Sequence, residues 1–166
     1  ERAIDICSGI AEMGKMSWQC ASRAESLDDD LCYNLKKAGC ERIWIGVESL
    51  SQDSLDRCNK KTNILRVVNG INTAHKYDLN TLSQFIIGIP GDTLWNIEES
   101  IYHIHKYRIG DRGTNIMWIL PGTLPHQLAK EKGFDDNLFF ISGAIHYTFE
   151  QNMDTLRNWS NLISKA

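Results

Sequence analysis

Glu48 and Ser49 close the stretch "RIWIGVESL", directly after the apolar run Ile43, Trp44, Ile45 and Val47. A carboxylate delivered by the end of a strand can accept hydrogen bonds from hydroxyls or pair with an ammonium. Similar endings recur along the chain. "MSWQCASRA" finishes at Arg23 and Glu25, and "LSQFIIGI" runs through Ile87 and Gly88 into Pro90 and Gly91. "NIMWIL" ends at Leu120, followed by Pro121, Gly122 and Thr123. A guanidinium such as Arg23 suits bidentate capture of a carboxylate. Arg23 and Glu48 on adjacent strand tops fit either ligand binding or a salt bridge to each other, and both readings stand at this level. The glycines and prolines serve as turn punctuation. Neither G-x-G-x-x-G nor G-x-x-x-x-G-K-[ST] occurs, so no phosphate cradle is expected.

The remaining reactive side chains form no second constellation. His103 and His105 are two apart on a helix and face different ways. His75, His126 and His146 are isolated and read as structural, and Ser49 has no histidine at a spacing that suggests a nucleophilic triad. Asp28, Asp29 and Asp30 read as a solvated helix start. The five cysteines, Cys7, Cys20, Cys32, Cys40 and Cys58, contain no C-x-x-C pair and read as reduced, buried thiols of a cytoplasmic protein. No catalytic residue and no metal ligand is assigned. Trp18, Trp44 and Trp118 are expected in the core.

The elements that must position the strand-end residues alternate. Ile4–Met13 reads as a helix stopped by Gly14, and Met16–Ala24 as a strand. Ser26 is expected to cap a helix carrying Leu27, Leu31, Leu35 and Ala38, with Gly39 as its stop. Strand Arg42–Val47 follows, then a short helix Gln52–Cys58 and a longer one over 63–77 capped by Thr62. Leu82–Ile89 is a third strand. Leu94–Tyr107 is helical with Ile97, Ile101 and Ile104 in phase. Asn115–Leu120 is a fourth strand, Pro125–Lys132 a short helix, and Met153–Ile163 a final one. Strands alternating with helices argue for a parallel sheet with crossover helices. Nearly continuous apolar strands argue that both faces are covered. Ligands of such folds sit at the carboxyl ends of the strands.

Composition bounds the function. The chain has 166 residues, 42% hydrophobic and 23% charged, which suits one domain spanning 1–166 with a less regular extension over 137–166. The net charge is −3 with scattered lysines and arginines, against a nucleic-acid surface. No apolar run approaches the ~20 residues that span a bilayer. The chain opens at Glu1 in a helix-like pattern without an initiator Met, which reads as a piece of a longer protein.

The ordered set "RAESLDDDL", "LKKAGCERIWIGVES", "SLDRCNKKT", "FIIGIPGDT" and "ILPGT" resembles the core of radical S-adenosylmethionine enzymes over residues 15–135. The subgroup is that of the anaerobic magnesium-protoporphyrin ester cyclase, often named Fe–S oxidoreductases, many of which carry a cobalamin domain upstream. The resemblance implies a (βα)6 partial barrel of TIM-like α/β class. This chain would supply strands three to six, about four parallel strands with outer helices. It also implies S-adenosylmethionine on a [4Fe–4S] cluster, cleaved reductively to a 5′-deoxyadenosyl radical. The cluster's C-x-x-x-C-x-x-C loop and the first two strands are absent here, so no cysteine is promoted to a ligand. Residue by residue, the resemblance implies cofactor contacts for Arg23, Glu48 and Ser49. It places the adenine side at Ile87, Gly88, Pro90 and Gly91, and a closing edge at Leu120 and Pro121. Lys61 and Asp78 stand where relatives commonly have Gly.

Four strands cannot close a barrel. The expectation is an open sheet, inactive alone, that needs the N-terminal half of the barrel or self-associates through the bare edge of its first strand. A cluster-less α/β binding or scaffold module is the alternative. A half-barrel aldolase or hydrolase would need a Lys or an acid–base pair at the strand ends, which is not found.

Overall fold

The computed structural model describes residues 1–14, 16–138 and 145–166. Four parallel strands form one sheet in the order β1-β2-β3-β4: β1 (Trp18–Arg23), β2 (Cys40–Glu48), β3 (Asn80–Ile87) and β4 (Arg112–Ile116). The helices are α1 (Arg2–Glu12), α2 (Asp29–Lys37), α3 (Gln52–Arg57), α4 (Ile64–Lys76), α5 (Leu94–Tyr107), α6 (Leu124–Glu131) and α7 (Met153–Lys165). The alternation predicted the parallel sheet, and the architecture is the incomplete (βα) barrel that the resemblance implied. No described helix is long and apolar enough to cross a membrane.

Buried and more exposed positions alternate along β3 and along β2 from Ile43 onward. Ile43, Ile45 and Val47 of β2 and Phe85 and Ile87 of β3 are buried under the helices. They join Val67, Ile71 and Ala74 of α4, Ile97 and Ile104 of α5, and Leu156, Trp159 and Ile163 of α7 in one core. Each buried Val, Ile, Leu or Phe among them contributes roughly 1.5–3 kcal/mol by leaving water. Among the described residues, no helix of this core packs on the opposite face. Trp44 is 44% exposed there and Trp118 is 48% exposed, which corrects their expected place in the core. The physical reason is that the core helices pack on one face of the four-stranded sheet, so the apolar residues that β2 turns to the other face meet no such layer among the described residues. Trp44 is oriented instead by a hydrogen bond from its Nε1 to Gln19 Oε1 at 3.0 Å.

Helix starts are set by short polar side chains that accept an orphan N–H. Asp28, not Ser26, caps α2, accepting from Leu31 N at 2.8 Å, because Ala24–Ser26 is taken up in a 3₁₀ turn. Asn63, not Thr62, caps α4, accepting from Arg66 N at 2.9 Å. Asn152 caps α7 through Thr155 N at 2.8 Å. β4 lies N-terminal to its expected place and is polar. Its outward hydroxyl and guanidinium are satisfied by α7, with Thr114 Oγ1 2.7 Å from Ser160 Oγ and Arg112 Nε donating to Ile163 O at 3.1 Å. Beyond β4, Met117–Ile119 pairs antiparallel with 145–147, through Ile119 N to Ile145 O at 2.7 Å and Tyr147 N to Met117 O at 2.8 Å. Of the expected extension over 137–166, residues 139–144 lie outside the described residues.

Candidate active-site cavity at the strand ends

β2 sets Arg42, Trp44, Gly46 and Glu48 on the open face. At Glu48 the ladder breaks: its register with β3 shifts between Gly46 and Glu48. Ser49 N donates back to Val47 O at 2.9 Å, and Glu48 takes a left-handed φ of 64°. For a residue with a Cβ that region costs about 1–2 kcal/mol, and such strain collects at functional positions. The turn parts neighbouring side chains. Glu48 goes to the open face, while Ser49 is buried with its Oγ 3.2 Å from Ser100 Oγ.

Glu48 Oε1 accepts a hydrogen bond from Lys60 Nζ at 2.7 Å, with side-chain exposures of 21% and 12%. Gly46 makes room, since a Cβ there would lie 3.0 Å from Glu48 Oε1 and 3.4 Å from Lys60 Nζ. Arg23 does not reach Glu48. It pairs with Glu25 and donates from Nη2 to the Lys60 carbonyl at 2.7 Å. The expected choice between a ligand site and an Arg23–Glu48 salt bridge therefore resolves into a chain in which Lys60 links the two.

Glu48 and Lys60 floor a cavity of about 590 Å³ at the carboxyl ends of β2 and β3. Its polar side is Glu48, Lys60 and Arg57; its apolar wall includes Ile86, Ile89, Pro90, Met117, Leu120 and Leu124. Cys58 also lines it. Burial pushes the Cys58 thiol up to about 11. Another, larger concavity of about 940 Å³ lies at the amino ends of β2 and β3, around Lys36, Lys37, Glu41 and Asn80, away from these groups.

The wall at Ile89–Gly91 is held from behind. Asp92, buried, accepts from Ile89 N at 3.1 Å, Ser54 Oγ at 2.7 Å and Arg57 Nη2 at 2.7 Å. From the other side, Glu150 Oε2 accepts Gly91 N at 2.6 Å.

Of the sequence-predicted residues, Glu48, Pro90 and Leu120 meet at the cavity. Arg23 stands at its edge through Lys60. Ile87 points into the core, Gly88 lies against Leu156, and Pro121 is exposed beyond the lining. Lys60, Arg57, Asp92 and Glu150 were not anticipated. Lys61, beside Lys60, stood out only as a lysine where relatives commonly have Gly, and the structure gives it and Asn59 left-handed φ values. Nothing in the sequence pairs Arg57 with Asp92. Among the described residues no group of three or more His, Cys, Asp or Glu side chains is disposed to hold a metal ion.

The family model of the radical SAM superfamily matches residues 2–104. The chain belongs to the radical SAM superfamily. An uncharacterized methyltransferase of Pyrococcus horikoshii is 32% identical over 124 residues, which are 74% of this chain and 27% of that protein. The anaerobic magnesium-protoporphyrin IX monomethyl ester cyclase of Cereibacter sphaeroides is 29% identical over 105 residues, 60% of this chain and 17% of the cyclase. Among solved structures, the cobalamin-dependent S-adenosylmethionine radical enzyme OxsB, with aqua-cobalamin and S-adenosylmethionine bound, superposes with a TM-score of 0.54 at 24% identity. That match covers 93% of this chain and 22% of OxsB, and it shows the shared fold. The chain spans about a quarter or less of the length of the two curated relatives named. In this radical SAM chain the cavity lies on the sheet end where α/β barrels build their sites.

Proposed function

We propose that this chain is the distal part of the core of a radical SAM enzyme related to the cobalamin-dependent group, and that its cavity holds the adenosyl end of S-adenosylmethionine. The observation that carries this reading is Glu48, turned out of β2 onto the open face at the floor of an apolar-walled cavity. A carboxylate there suits the two ribose hydroxyls. Ile89, Pro90 and Met117 suit the faces of adenine, and Arg23 extends the polar edge. The described residues fit that nucleoside end and offer no ligand set for the [4Fe–4S] cluster. In this reading the cluster ligands belong to the rest of a longer protein. When bound together, cluster and S-adenosylmethionine supply a 5′-deoxyadenosyl radical. The name of the Pyrococcus relative makes methyl transfer the reaction class to test first.

Among the described residues, β1 pairs with β2 alone, so its other edge presents an unpaired row of backbone groups. We read that edge as the seam to the remaining barrel strands. The isolated chain is expected to bind S-adenosylmethionine weakly, to leave it uncleaved, and to self-associate through this edge. Light scattering that gives a monomer at every concentration counts against the last point.

The test of the cavity is Glu48→Gln with S-adenosylhomocysteine as the probe in titration calorimetry. Losing a charged acceptor for a hydroxyl pair should weaken binding about tenfold or more. Equal affinity for the two proteins removes Glu48 from the site.

A further inference from the structure

Cys20 and Cys40 stand on neighbouring strands with their Sγ atoms 3.9 Å apart. The register of β1 on β2 brings them together. Trp18 lies opposite Cys40 but Gln19 lies opposite Arg42, so the ladder skips Glu41. Cys20, two residues beyond Trp18, points to the same face of the sheet as Trp18. There it joins Cys40 under the core helices. The start of β1 is pinned in place: Trp18 Nε1 donates to Ala38 O at 2.7 Å, and Trp18 N to Gly39 O at 3.4 Å. Cys7 and Cys32 share this core, yet among the described residues no three such groups are disposed to hold a metal ion. Cys58 lines the cavity at the carboxyl ends of the strands, away from the pair.

The two thiols are chemically unequal. Cys40 Sγ also reaches Arg42 O at 3.5 Å, so in the dithiol Cys40 donates to that carbonyl and Cys20 donates to Cys40. The bond between them holds the Cys40 thiol below its ordinary value and pushes Cys20 above. The first thiolate therefore forms at Cys40, with an S–H donor beside it. Cys40 is buried and Cys20 half-buried, so a small reagent that passes Cys20 meets Cys40 next.

We propose that Cys20 and Cys40 are a modification site, a dithiol that peroxide closes to a disulfide joining β1 to β2. The Cys40 thiolate attacks one oxygen of hydrogen peroxide. An S–O bond forms, the O–O bond breaks, and hydroxide leaves and is protonated to water. Cys20 then attacks the sulfur of the Cys40 sulfenic acid. An S–S bond forms, the S–O bond breaks, and the second oxygen leaves as water with the Cys20 proton. The two sulfurs give up two electrons and one peroxide takes both. The sulfurs must close from 3.9 Å to about 2.05 Å, which rotation of the two side chains supplies.

The experiment uses the whole chain, fully reduced and then freed of reductant. Hydrogen peroxide is added in small excess, and the remaining thiols are blocked with a maleimide in denaturant and counted by intact mass. The count should fall from five by the two of the pair and then stop. Peptide mapping should find Cys20 linked to Cys40 within one chain. Cys20→Ser should leave Cys40 as a sulfenic acid that dimedone traps, and Cys40→Ser should slow the oxidation of Cys20 about tenfold or more. Mapping of the parent chain decides the matter even where a variant does not fold. A link between other cysteines, a link between two copies on a non-reducing gel, or five thiols that all survive overturns the proposal. So does a folded Cys40→Ser chain that loses Cys20 as fast as the parent.

Discussion

Arg57 Nη2 donates to Asp92 Oδ1 at 2.7 Å, tying the end of α3 to the turn after β3 that walls the cavity. Arg57 is also paired with Asp53, and Asp92 also takes the Ile89 N–H. One buried carboxylate thus fixes the backbone of the wall and the helix behind it. The Asp92 side chain is 3% exposed, so truncating its partner leaves a charge in the interior.

Arg57→Ala should therefore lower stability by about 3 kcal/mol or more, the usual cost of orphaning a buried charge. The double variant with Asp92→Ala should cost less than the sum of the two single changes, because the orphaned charge is removed as well. Urea unfolding of the four proteins measures the coupling. Strict additivity would show that the pair does not act as a unit.

Glu150 makes stability depend on acid. Burial raises its carboxyl, but hydrogen bonds from Gly91 N–H, Tyr147 Oη and Lys132 Nζ outweigh burial and hold it below the ordinary value of 4.5. The unfolded chain then binds the proton more readily. The contribution of Glu150 is complete above the unfolded value and is lost as pH falls through the depressed folded value. Glu150→Gln should cost roughly 1–2 kcal/mol at neutral pH. The gap to the parent should narrow below about pH 4. Urea midpoints at both ends of the range check this; a gap that widens in acid contradicts it.

Asp78 follows α4 with a φ of 54°. Its interaction with Lys36 uses the backbone carbonyl, at 2.6 Å, so the side chain is dispensable. Asp78→Gly removes about 1–2 kcal/mol of left-handed strain and gives back part of it as chain entropy. A gain of about 0.5–1 kcal/mol, seen as a higher melting temperature, is expected.

Gly70 sits in α4 where a Cβ would fall 1.9 Å from the Ala24 carbonyl oxygen, a backbone atom that cannot swing aside. Alanine is the better helix former by about 1 kcal/mol, yet Gly70→Ala should destabilise by about 3 kcal/mol, at the upper end of overpacking costs. Thermal denaturation decides the sign. A rise in melting temperature would mean that α4 does not lie this close to the Ala24–Ser26 turn.

The sequence by itself determined the order of elements, because each is encoded locally. Ile97, Ile101 and Ile104 at helical spacing place α5 over Leu94–Tyr107, its observed span. Strands separated by crossover helices imply parallel pairing, and the carboxylate after "WIGV" marks the carboxyl end of β2. Tertiary structure alone decided what each face meets. Trp44 reads as core because its strand is apolar, and it is exposed because the described core helices pack on the other face of the sheet. β4 is hard to read because its polar residues are satisfied by α7, some fifty positions away. Lys60 reaches Glu48 from 12 residues on and Arg57 reaches Asp92 across 35. No local pattern encodes such pairs, since their distance depends on how the turns after β2 and β3 come together. The chemistry of Glu48 is written in one residue; its direction is written in the packing around Gly46 and Lys60.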